Sequence, residues 1–117
     1  MGIFGKSVEE NKNDIVDEVQ QYLIEGEIVE EVRGMKNAFN CITNKRLIFA
    51  SQVPLFKDLG VLSIPFSKIE SVVIERKPAV VTLTKIIIHT RSNEYGLVFY
   101  DLESLMIFYK KLIARIV

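Results

Sequence analysis

Cysteine is almost missing from this chain: Cys41 is the single one in 117 residues. An internal disulfide is therefore excluded, and so is a cysteine-rich metal site. A reducing, cytoplasmic compartment fits that composition. Histidine is as scarce, with His89 alone, and tryptophan is absent. No apolar run approaches the roughly 20 residues that a membrane-crossing helix needs. Lys57, Lys68 and Lys85 break the longest uncharged stretches. Net charge is lacking too, because fifteen basic side chains balance fifteen acidic ones. That removes the general electrostatic reason to bind nucleic acid. The N-terminus has no apolar segment before Glu9 and Glu10, so it does not read as a secretory signal. Lys6 stands where a myristoylation signal wants Ser or Thr. Gly5-Lys6-Ser7 lacks the earlier glycine and the preceding strand of a phosphate-binding loop.

What is present is ordinary for a globular protein: 49% hydrophobic and 26% charged residues. The length suits one domain, which buries about two-thirds of its unfolded surface. Charge is unevenly placed. Residues 1–33 hold three basic and nine acidic groups, net −6, and the remaining residues hold twelve and six, net +6. Either the acidic segment lies on the basic body of its own domain, or it lies on that of a neighbouring copy, or the asymmetry marks a partner-binding face.

The pattern begins with a helix. Ser7 and Glu10 form a capping box, and Val8, Ile15, Val19, Tyr22 and Leu23 recur at helical spacing, with Gly26 as the stop. Strands are expected at about 28–33, where Gly34 ends the run, at 38–43, 47–50, 61–64, 69–76, 83–90 and 95–100. Turn residues such as Asn44, Pro54, Gly60, Pro65, Pro78 and Asn93 separate them. A last helix starts after the N-cap Asp101. Leu102, Leu105, Met106, Tyr109, Leu112, Ile113 and Ile116 share one face of it. The order is helix, seven short strands, helix. Such an order argues a mainly β fold with helices: a seven-stranded antiparallel barrel or sandwich capped by a C-terminal helix, plus an extra N-terminal helix. Val80–Thr82 and Ile86–Ile88 are candidate strand edges open to pairing.

Three stretches carry a resemblance. Gly26-Glu27-Ile28 opens the first strand, followed by Thr43-Asn44-Lys45-Arg46-Leu47-Ile48-Phe49 and Ile64-Pro65-Phe66-Ser67-Lys68-Ile69-Glu70-Ser71-Val72. In order and spacing they are similar to the T-N-x-R-L-I hairpin and the I-P-Y-x-x-I-x-x-V segment of bacterial pleckstrin-homology-like and GRAM-like domains, with Phe66 in place of Tyr. The resemblance covers about residues 26–116. The N-terminal helix lies outside that pattern, so the chain is expected to divide into an N-terminal amphipathic helix, 1–25, and a pleckstrin-homology-like (PH-like) domain, 26–117. The resemblance implies a non-catalytic binding or assembly module of a bacterial cytoplasm, with no cofactor and with a protein partner or further copies of itself. Some bacterial members look like ring-forming oligomers.

Candidate chemistry is sparse. His89 and Cys41 would have to meet in one pocket to make a small enzyme, and otherwise they are a strand histidine and a core thiol. No Gly-x-Ser-x-Gly appears, so no enzyme is expected. Phosphoinositide-binding relatives cluster Lys and Arg in the first hairpin, whereas this chain has only Arg33 and Lys36 there. Lys45 and Arg46 add two cations at the next turn. Arg46, at a strand start, is expected to face solvent or a carboxylate. Leu55, Phe56 and Lys57 form an apolar loop with one cation, which either folds over the open end of the barrel or inserts into a partner groove or membrane surface. The candidate surface is thus Arg33, Lys36, Lys45, Arg46, Leu55, Phe56 and Lys57. A peripheral membrane or lipid-binding module is the alternative function, and nucleic acid is not an expected partner.

Overall fold

The computed structural model describes residues 12–52, 59–75 and 84–117. These form helix α1 (Lys12–Gln20), strands β1 (Val29–Met35), β2 (Ala38–Thr43), β3 (Arg46–Gln52) and β4 (Leu59–Pro65), and a short 3₁₀ turn (Phe66–Lys68). Strands β5 (Ser71–Glu75), β6 (Thr84–His89) and β7 (Glu94–Phe99) follow, then helix α2 (Leu102–Ile116). The strands make two antiparallel sheets, in the orders β1-β2-β3-β4 and β5-β6-β7. Among the described residues no strand ladder joins the two sheets, so the fold is a sandwich rather than a closed barrel. Asn40 Nδ2 reaches across the gap to the Val98 carbonyl at 3.1 Å.

Alternation places Ile42, Leu47, Phe49 and Ile64 on the inner face of the first sheet, opposite Ile86, Ile88, Leu97 and Phe99 of the second. Helix α2 closes this core with Leu105, Phe108 and Leu112, and the Phe99 and Phe108 rings lie 5.1 Å apart. Asp101 caps it, its carboxylate accepting from the Ser104 amide at 2.7 Å. The buried stripe is narrower than the expected one: Leu105 and Leu112 are inside, Met106, Tyr109, Ile113 and Ile116 are half-buried, Phe108 is inside as well, and Leu102 is 60% exposed. The helix is rotated so that positions 105, 108 and 112 face the sheets, at i, i+3 and i+7.

Helix α1 lies on the other face of the first sheet. Ile15 and Val19 are fully buried against Val32, Phe39, Cys41 and Ile48, and Tyr22 and Leu23 pack at the margin. The helix ends at Gln20 rather than at the Gly26 stop that its pattern suggests. The Tyr22 and Leu23 amides bond back three residues, to Val19 and Gln20, which tightens and ends the turn. Gly26 instead serves a separate turn at φ +81°. Ser7 and Glu10 lie outside the described residues.

Two further expectations need correction. Gly34 does not end β1 but sits inside it at φ +109°. A Cβ there would meet the Ala38 carbonyl oxygen at 2.5 Å, so only glycine lets the hairpin close over Lys36-Asn37. Ile86–Ile88 is not an edge, because β6 is the central strand of its sheet and both flanking isoleucines are core. Val80–Thr82 lies outside the described residues.

Candidate functional site

The first polar centre is a knot tying the start of β1 to the β2–β3 turn. Arg46 grips Glu27 with two nitrogens, Nε to Oε2 and Nη2 to Oε1, both at 2.9 Å. The same guanidinium donates to the Tyr22 carbonyl at 2.7 Å and to Ser63 Oγ at 2.9 Å. Thr43 Oγ1 donates to Glu27 Oε2 at 2.6 Å and accepts the Lys45 and Arg46 amides, each at 3.0 Å. Asn44 acts as a surrogate strand: Oδ1 accepts from the Ile28 amide at 2.8 Å and Nδ2 donates to the Gly26 carbonyl at 3.1 Å. Hydrogen bonding to Arg46, with help from Thr43 and the Ile24 amide, overcomes burial and holds the Glu27 carboxyl down at about 2. The guanidinium of Arg46 is in turn pushed above its ordinary value by Glu27.

The second centre is Glu31, whose side chain is only 4% exposed. It accepts from Lys111 of α2 at 2.7 Å, from Arg33 of its own strand at 2.9 Å and from Lys12 of α1 at 3.2 Å. Burial raises its carboxyl, and the hydrogen bonds from Lys111 and Lys12 with the charge of Arg33 outweigh that, leaving it below the ordinary range. One carboxylate thus fastens both helices to the edge strand β1. Beside it Arg115 grips Glu30, Nε to Oε1 at 2.8 Å and Nη2 to the second oxygen. The acids at 27–31 are therefore answered by cations of the body within one chain, the first of the dispositions that the charge asymmetry allows.

Among the described residues the candidate surface divides between separate partners. Arg33 serves Glu31 and reaches Ser104 Oγ of α2 at 3.4 Å, while Arg46 serves Glu27. Lys45 is exposed at the tip of the β2–β3 turn. Lys36 lines a surface depression of about 430 Å³ with Glu18, Tyr22, Asn37, Phe39, Ala50, Gly60 and Val61, between α1 and strands β2 to β4. Leu55, Phe56 and Lys57 lie outside the described residues.

Cys41 and His89 do not meet. Cys41 is buried beneath α1, where desolvation first, and the negative charge of Glu27 after it, push the thiol up to about 12. Such a thiol is a poor nucleophile. His89 sits on the outer face of the second sheet, with Nδ1 2.9 Å from Ser71 Oγ and Nε2 2.9 Å from Glu94 Oε2. Sequence reasoning missed these two partners. They become neighbours through cross-strand register, Ser71 opposite His89 and His89 opposite Glu94, and registry is not written in local spacing. The row resembles a serine–histidine–acid relay, yet His89 and Glu94 are exposed at 38% and 68%. Water competes for every bond in it, so it works as a cross-strand polar ladder. Among the described residues no three His, Cys, Asp or Glu side chains gather as a metal site.

Two orthodox features define the class: a four-stranded and a three-stranded antiparallel sheet packed face to face, with one C-terminal helix closing the core between them. This is a PH-like fold. The bacterial PH domain model matches residues 1–115, and the chain belongs to that family. Among relatives it is similar to the Bacillus subtilis (strain 168) protein YozO, 29% identical over 99 residues, which span 85% of this chain and 83% of that one. Among solved structures it is similar to a pleckstrin homology domain from Shewanella amazonensis SB2B, with a TM-score of 0.67 and 17% identity over 98% of this chain and 95% of that one. A Shewanella loihica PV-4 protein with a pleckstrin-homology domain gives 0.64 and 17% over 93% and 95%. A PH-domain protein from Exiguobacterium sibiricum 255-15 gives 0.69 and 19%, over 92% of this chain and 60% of that chain.

Proposed function

We propose that this chain is a non-catalytic binding module that works through protein–protein contact, its own copies included, in a bacterial cytoplasm. One observation carries the reading: the polar groups most suited to chemistry are consumed in holding the fold. Glu27 and Arg46 lock each other, Glu31 fastens two helices, and the Cys41 thiol is buried and raised. What the described surface offers instead is the depression beside α1, with an apolar floor of Tyr22, Phe39, Ala50 and Val61 and a rim of Glu18, Lys36 and Asn37. An apolar floor with a mixed-charge rim suits a side chain of a protein partner. Membership of a family of binding modules supports the same reading, and the single unpaired, buried thiol agrees with a reducing compartment. No described helix is long and apolar enough to cross a membrane.

The test is light scattering coupled to size exclusion over a wide range of protein concentration, followed by capture of native-lysate proteins on the immobilised full chain. A mass that rises with concentration supports self-association. A constant monomer mass together with no specific captured protein refutes the reading. Sedimentation with anionic vesicles addresses the membrane alternative, which rests on Leu55, Phe56 and Lys57.

A further inference from the structure

At the end of the sandwich away from the Lys36-Asn37 hairpin, the link from β4 to β5 is clamped to the β6–β7 turn. The Glu70 amide donates to the His89 carbonyl at 2.8 Å, and Ser71 stands opposite His89. Between the two segments lies a depression of about 390 Å³, lined by Ser67, Lys68, Glu70, Thr90, Arg91 and Ser92. Every one of these side chains is polar, in contrast to the apolar floor beside α1. We propose that this depression binds a phosphate group that still carries one acidic proton, either free phosphate or the end of a phosphate monoester.

Three features support the assignment. The cations are uncommitted. Lys12, Arg33, Arg46, Lys111 and Arg115 are each tied to Glu27, Glu30 or Glu31, whereas among the described residues neither the Lys68 nor the Arg91 side chain is bonded to a protein group. Each segment thus brings one free cation, and a guanidinium suits phosphate oxygens because it presents paired N–H donors. Hydroxyl donors stand beside them. Ser92 Oγ accepts from Asn93 Nδ2 at 3.3 Å, which leaves its own proton to give, and Ser67 adds a second hydroxyl. The turn that carries Arg91 and Ser92 is held by the Thr90 amide and Thr90 Oγ1, which both donate to the Asn93 carbonyl, at 2.9 and 3.2 Å. The third feature is Glu70. Its carboxylate repels a fully ionised anion and has no proton to offer, but it can accept the P–OH of a singly protonated phosphate. A phosphate monoester loses that proton only near about pH 6, whereas sulfate and carboxylate ligands carry none there. Two cations and one acid give the lining a net charge of 2 − 1 = +1, the complement of a singly protonated monoester. The site shares no residue with the first hairpin or with the depression beside α1, so its failure leaves the protein-contact reading standing.

The experiment is a backbone-amide NMR titration of the full-length chain at about pH 6, where a phosphate monoester is half protonated. Inorganic phosphate, glycerol 3-phosphate and sulfate are the separate probes, at constant ionic strength. Phosphate is expected to shift the amides of residues 67–70 and 90–92 saturably, with an affinity of about millimolar for a site this open to water. Sulfate is expected to bind at least about threefold more weakly, for want of the hydrogen bond to Glu70. Lys68→Ala with Arg91→Ala is expected to weaken phosphate by about tenfold or more. Glu70→Gln is expected to narrow the gap between phosphate and sulfate, because an amide no longer repels sulfate and can donate to it. Lys68, Glu70 and Arg91 are exposed, so both variants are expected to melt as the wild type does. No saturable shift of these amides, or one that the double variant leaves unchanged, overturns the site. Equal affinity of the wild type for phosphate and sulfate overturns the choice of a protonated phosphate, and that comparison needs no variant. Tighter binding of glycerol 3-phosphate than of inorganic phosphate assigns the group to a monoester, and equal binding assigns it to the free anion.

Discussion

The two sheets of this sandwich meet water differently. In the first, β2 is buried on both sides: Phe39, Asn40, Cys41, Ile42 and Thr43 are all inside. In the second, only the inner face is buried, and Val73 and Val98 stand 41% and 37% exposed outside it. The cause is α1, which roofs one sheet and leaves the other bare. A chain that joins an N-terminal helix to a seven-stranded core turns one sheet into an interior layer. The three-stranded sheet keeps a one-sided pattern of buried and exposed positions. Its outer row of Ser71, His89 and Glu94 is polar because water is its neighbour.

That contrast can be broken most severely at the shared core. Phe108→Ala is expected to cost about 3–5 kcal/mol, since it empties the contact between α2 and both sheets. Chemical denaturation reads this, and an unchanged midpoint refutes the placement of Phe108. Next comes the knot at the first sheet. Arg46→Ala leaves the Glu27 carboxylate inside without its cation, at a cost of about 3 kcal/mol or more. A loss below half of that shows water reaching Glu27.

The same knot sets a pH dependence. Glu27 is held at about 2 in the folded chain against an ordinary value of 4.5. A depressed folded value means that its stabilisation is complete above about pH 4.5 and is lost as the pH falls toward 2. Glu31 shifts in the same direction. Thermal midpoints across that window are expected to fall for the wild type and to fall less for Glu27→Gln. Parallel curves for the two proteins contradict the assignment.

The roof comes third. Ile15→Ala is expected to cost about 2 kcal/mol, the low end for a buried aliphatic, because its cluster lies at the periphery. Alkylation of Cys41 under native conditions is expected to quicken in that variant, and a thiol as inert as in the wild type contradicts a roof over Cys41. The smallest effect belongs to the bare face. His89→Gln is expected to change stability by less than about 0.5 kcal/mol. A loss above 2 kcal/mol overturns the description of the Ser71–His89–Glu94 row as a solvated ladder.

Much of this was legible from the residues alone, for physical reasons that differ by element. Asp101 followed by apolar residues at helical spacing announces α2, because capping and periodicity are local. Thr43-Asn44-Lys45-Arg46 announces the hairpin for the same reason. Phe108 was within reach as well, three residues after Leu105 and four before Leu112, but a stripe centred on Leu102 and Tyr109 turns the helix away from it. The stripe of α1 says that the helix docks and not on which layer, since Ile15 would fit any apolar face. Arg46 illustrates the limit for the site. Its charge is visible in sequence, but its partner Glu27 lies nineteen residues away and joins it only when β1 and the β2–β3 turn come together.

The knot around Arg46 also has a meaning for how such chains are recognised. The stretch that makes this protein look familiar, Thr43 to Arg46, spends the side chains of Thr43, Asn44 and Arg46 on Glu27, Tyr22, Ser63 and the Ile28 amide. Those residues act as joinery. The protein-binding surface proposed above lies outside this stretch, in the depression beside α1.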